Sequence, residues 1–173
     1  MARPIRTQLQ KALVGHAGEH YVLFRLYQQG MLASLAPPGS EKVDVLVMAP
    51  DESVIATLQV KTRTYGRDQG WHMSVKHENF AAPRAFYALV DLEPQIPVTY
   101  IVPSEVVAQV VHDEHAAWLG TPGVRGQQHK ANDVRRLLPK YRLEVPSAPD
   151  GWMEPHRENW QALKQSARTR KAH

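Results

Sequence analysis

Cysteine is absent from the 173 residues, which excludes disulfides and thiolate-bound zinc. No apolar run approaches the ~20 residues that cross a bilayer, and Met1 to Arg6 lack the apolar centre of a secretory signal. A cytoplasmic home with no membrane partner is therefore the default expectation. Glycine-rich phosphate loops and Gly-x-Ser-x-Gly elbows are missing too, which disfavours P-loop nucleotide hydrolysis and serine hydrolysis. There is no internal repeat and no low-complexity tract. The excess of positive charge is small, +4 with a pI near 9.4, and mildly favours an anionic partner.

What the chain does contain is enough for one substantial core. Thr7 to Gln29 reads as a helix with Leu9, Leu13, Ala17, Tyr21 and Phe24 as its buried stripe, closed by Gly30. Strand-like runs follow at Met31–Leu35, Lys42–Met48, Val54–Lys61, Trp71–Val75, Ala85–Leu92 and Val98–Val102. Ser104 is placed to cap a helix running to Ala117. Residues 120–132 read as polar loop, and Glu154-Pro155 as the start of a last helix with Trp160 and Leu163 on one face. Helices interleaved with strands make an α/β pattern. Residues 1–145 form the expected main domain; 146–173 add a helix and the basic tail Arg168-Thr169-Arg170-Lys171, packed on or trailing from it.

The chemistry concentrates in two adjacent strands. Asp44 sits in Lys42-Val43-Asp44-Val45-Leu46-Val47-Met48, and fifteen residues on stands Gln59-Val60-Lys61. Ala49-Pro50-Asp51-Glu52-Ser53 between them is turn-like. Strand side chains alternate, so Gln59 and Lys61 share one face while Leu58 and Val60 turn to the core. A hairpin brings Asp44 to them. A carboxylate, an amide oxygen and an ammonium on one face suit a divalent cation and a phosphate. The bland alternative is a solvated edge strand, though an aspartate in an apolar run is costly to bury unpaired.

Glu19 on the first helix, then Asp44, then Gln59-Val60-Lys61 resembles the PD-(D/E)xK nuclease superfamily over roughly residues 10–105. Gly18-Glu19, Pro38-Gly39-Ser40 and the 86–92 run are similar to its bacterial uncharacterised and resolvase-like members. Val43 stands where the motif name implies proline, and Gln59 where it implies an acid. The resemblance implies a restriction-endonuclease-like mixed central sheet flanked by helices, cleaving nucleic acid, DNA before RNA, with Mg²⁺ or Mn²⁺. It assigns the cation to Asp44, Gln59 and the Val60 carbonyl, catalysis to Lys61, and a supporting role to Glu19. It also implies a homodimer as one way to cut two strands. The rival is a scaffold that keeps the fold and binds nucleic acid without cutting it.

Arg63, Arg67, Lys130, Arg135 and Arg136 are the basic residues expected to contact phosphates along one groove. Tyr65, Trp71 and Trp118 could stack on bases, although such aromatics more often fill cores. His16 and His20 share a helix face at zinc-binding spacing, but Ala17 stands where a metalloprotease has glutamate. His112 and His115 form a second pair. With no third ligand, both pairs read as surface residues.

Overall fold

A computed structural model of the chain describes residues 8–64 and 70–168. Tyr65, Arg67 and the tail from Thr169 lie outside the described residues. The first helix, α1 (Gln8–Gln28), ends where Gly30 takes φ +67°, the left-handed geometry that costs glycine least. Strands β1 (Leu32–Leu35), β2 (Val45–Met48) and β3 (Val54–Arg63) form an antiparallel meander. After β4 (Trp71–Ser74), strand β5 (Ala85–Asp91) returns parallel to β3 and pairs antiparallel with β6 (Val98–Pro103). Helix α2 (Ser104–Gly120), strand β7 (Val134–Leu137) and helix α3 (Gln161–Arg168) complete the order.

The main sheet runs β1-β2-β3-β5-β6, and β4 pairs with β7 in a separate ribbon. Strand parity divides the interior. Ala56, Leu58 and Val60 of β3 join Phe86, Ala88 and Val90 of β5 in a core shared with Val22 and Leu26 of α1 and Leu163 of α3. Tyr87 and Leu89 face the other way, into a core with Trp71, Val107, Val110, Val111 and Leu137. This is the expected α/β fold, a mixed central sheet with helices on its flanks. All seven residues of β5 are buried, as a central strand covered on both faces must be.

Several local expectations are corrected. The buried row of α1 is Gly18, Val22 and Leu26, while Leu13 and Phe24 stay 57% and 54% exposed. The cause is Gly18: a Cβ there would lie 1.9 Å from the Thr62 hydroxyl of β3, so the helix turns its glycine inward to approach the sheet. Ser104 does not cap α2 through its side chain. Its hydroxyl instead accepts from the Ala82 N–H and donates to the Ala82 carbonyl, at 3.0 and 3.1 Å. The last helix starts at Gln161, after a short 3₁₀ turn at Glu154–His156. Trp160, just ahead of it, is buried and donates to Glu158, which binds the Thr99 N–H and pairs with Arg25 of α1 at 2.9 Å. No helix among the described residues is long and apolar enough to cross a membrane.

Candidate active site

The β2–β3 ladder stops at Asp44, one residue before β2 begins, and the strands fork there. The Asp44 N–H still donates to the Leu58 carbonyl, 2.8 Å away. The next β3 donor, the Val60 N–H, is taken by the Asp44 carboxylate at 2.7 Å instead of by a strand. Asp44 therefore lies at the end of the strand rather than within it. The register pairs Val45 with Leu58, and Asp44, just beyond it, lies close enough to Lys61 for each to feel the other's charge.

Glu19 arrives from α1, held close by the Gly18–Thr62 contact one residue earlier. Its carboxylate accepts from His16 across one helical turn, at 3.2 Å. Asp44 feels Glu19 and Lys61 together. Burial pushes its carboxyl above the ordinary range; the Val60 N–H and Lys61 oppose this, and Glu19 adds to it. Burial also holds the Lys61 ammonium below its ordinary value, against the pull of Asp44 and with the repulsion of Lys76. Gln59 is 7% exposed, and its Nε2 donates to the Glu41 carbonyl at 3.4 Å. That bond leaves the amide oxygen for the acceptor role a cation requires.

Beside Gln59 lies a recess of about 30 Å³ lined by Glu41, Lys42, Gln59, Lys76, His77 and Phe80, room for more than one water. Lys42 lies over the Phe80 ring at 5.6 Å. Ser74 backbone groups hold Nδ1 of the buried His77 ring, while its Nε2 and the Tyr87 hydroxyl have no partner among the described residues. Sequence reasoning missed Lys42, Lys76 and His77. Only the chain path brings them to the motif, and no spacing announces it.

Two of the residues expected to line a basic groove are turned inward. Arg63 is spent internally: it donates twice to Asp91, at 2.9 and 2.6 Å, and stacks 4.0 Å over Trp71. Arg135 is 5% exposed and paired with Glu78. Lys130 and Arg136 are exposed. Trp71 is a core residue whose Nε1 donates to the Val90 carbonyl. Of the histidines read as surface residues, His16, His20 and His112 are exposed and His115 is buried.

The donors at the fork are hard oxygens, few in number, as suits a magnesium-like cation that keeps several waters. No group of three or more His, Asp or Glu side chains placed for a metal occurs among the described residues. A cation here would thus rely on Asp44, an amide and a backbone carbonyl, with Glu19 near.

No protein-family model matches the chain, and no curated protein matches it. Among solved structures, a bacterial homing endonuclease superposes with a TM-score of 0.55 at 12% identity, over 92% of this chain and 97% of that one. At that identity the likeness is one of fold: the protein shares a restriction-endonuclease-like architecture with a nuclease.

Proposed function

We propose that the chain hydrolyses nucleic-acid phosphodiester bonds, DNA in preference to RNA, with Mg²⁺ or Mn²⁺. The observation that carries this reading is the strand fork, where a half-buried carboxylate, a glutamine and a lysine meet on a fold shared with an endonuclease. Asp44, the Gln59 amide oxygen and the Val60 carbonyl would hold the cation, which supplies Lewis-acid polarisation of the phosphate and a more acidic water. Lys61, its pKa depressed by burial, sits where an ammonium stabilises charge gathering on phosphoryl oxygens. Glu19 adds negative charge near Asp44 and would orient a water through its carboxylate. Lys42 and Lys76 form a cationic rim that draws the phosphate chain in.

Gln59 supports a second reading. With one carboxylate fewer at the motif, the fold would bind nucleic acid without cutting it. Purified protein is incubated with single-stranded, duplex and branched DNA and RNA in Mg²⁺, Mn²⁺ or EDTA. Metal-dependent products support the enzyme. Binding without products in every metal supports the non-catalytic form, and neither binding nor products removes both.

A further inference from the structure

A separate cavity of about 440 Å³ opens between the end of α2 and β7, lined by Glu114, His115, Trp118, Asn132, Val134 and Arg136. Its volume is in the ~300–1,000 Å³ range of small-ligand sites. Trp118 lies nearly parallel to two imidazoles, at 5.4 Å and 24° from His115 and 4.1 Å and 21° from His129. Trp118 thus belongs to a run of stacked flat rings at the cavity wall. His115 is 8% exposed, and its Nε2 has no partner among the described residues. A buried ring nitrogen left so is costly unless something binds it. The Glu114 carboxylate accepts the Arg136 backbone N–H and lies within charge reach of the Arg135 and Arg136 guanidinium groups. A carboxylate acceptor and an exposed guanidinium donor therefore share one rim of an aromatic cavity.

We propose that this cavity binds an unpaired guanine base. Stacking on Trp118 would supply sequence-independent affinity. Guanine offers two adjacent N–H donors at N1 and N2, which a carboxylate accepts, and the O6 and N7 acceptors that a guanidinium reads. Adenine has no carbonyl acceptor and no ring N–H beside its amino group, so the Glu114–Arg136 pair disfavours it. The base comes either from a nucleic-acid strand, in which case the site rests on the nucleic-acid reading above, or from a free guanine nucleotide.

The test uses the full chain in EDTA, so that cleavage does not interfere. Hairpin DNAs with one bulged guanine, one bulged adenine or one abasic bulge are titrated, and GMP is titrated separately by calorimetry. Stacking predicts at least about tenfold tighter binding of the guanine bulge than of the abasic one, with adenine between them. Trp118→Ala should bring guanine down to the abasic level and Glu114→Gln down to the adenine level, whereas Trp118→Phe keeps most of the preference and shows that the fold survives change there. GMP binding without bulge preference keeps the pocket and names the free nucleotide as its source. Equal affinity for guanine and abasic bulges with no GMP heat overturns the pocket, even where duplex cleavage in Mg²⁺ is intact. Loss of all nucleic-acid binding with GMP binding retained overturns the nucleic-acid reading instead.

Discussion

Strand β3 carries two cations two residues apart on the same face, each near an aspartate, and they are used in opposite ways. Arg63 closes on Asp91 with two N–H donors, and Trp71 covers its guanidinium. Lys61 and Asp44 feel each other's charge without closing an ion pair; the aspartate spends its oxygen on the Val60 N–H. In the first pair the burial cost is offset by geometry. In the second it is not, and burial pushes both groups toward their neutral forms. One pair builds the fold. In the other, burial displaces both pKa values toward the neutral forms, a kind of shift that clusters at functional sites.

Breaking each pair should separate the two roles. Arg63→Met leaves the buried Asp91 without its partner, so chemical denaturation should show a loss of about 3–5 kcal/mol. Cleavage per folded molecule should change little. Lys61→Met removes a half-buried ammonium with no closed partner, so stability should hold or rise. Turnover should fall by about 10²–10³-fold, the usual loss on removing one charge-stabilising donor. Equal stability losses in the two variants, or full turnover in Lys61→Met checked for contaminating nuclease, would erase the contrast.

A smaller effect sharpens the comparison from the Asp44 side. Gln59→Glu adds a second carboxylate at the fork. Mg²⁺ affinity should rise by roughly tenfold in calorimetry, about the 1.4 kcal/mol that one favourable contact supplies. The metal-free protein should lose stability, because two like charges then share the fork. Unchanged affinity would remove position 59 from the ligand set.

Much of the fold was legible because local pattern and tertiary outcome agree. The alternation Leu58, Gln59, Val60, Lys61 gave the sheet face, and the nearly continuous apolar run 85–92 gave a central strand. Legibility failed where a distant partner reverses local polarity. In Val134-Arg135-Arg136-Leu137 the valine is exposed and the first arginine buried, since Glu78 waits fifty-seven residues away. A pattern reader sees no strand there. The stripe of α1 was misplaced for a similar reason, because the helix seats its glycine, and not its largest apolar side chains, against Thr62. At the site, the motif residues were visible by parity, whereas Lys42, Lys76 and His77 depended on how the loops after β1 and β4 pass the fork.

The smallest predicted effect is the share of the pH dependence that Asp44 and Lys61 contribute. Burial holds the Asp44 carboxyl above its ordinary value, with Glu19 adding to the shift. The folded state then binds that proton more tightly than the unfolded chain does. Its contribution to stability is complete below the unfolded pKa and is lost as pH rises through the folded one. Lys61 has the opposite sign of shift: its depressed folded pKa makes the unfolded chain the tighter proton binder, so stability recovers only as pH climbs through the alkaline range of lysine. Between those windows the metal-free protein carries the cost of both charges. Asp44→Asn removes the first cost while keeping an oxygen for the Val60 N–H. Its melting temperature without metal should match the wild type at low pH and exceed it near neutrality. Added Mg²⁺ should raise the wild type and leave the variant unmoved, since a bound cation stabilises only the state that holds it. Parallel melting curves for the two proteins at every pH would mean that Asp44 is as settled as Asp91, and would leave the fork without a cation site.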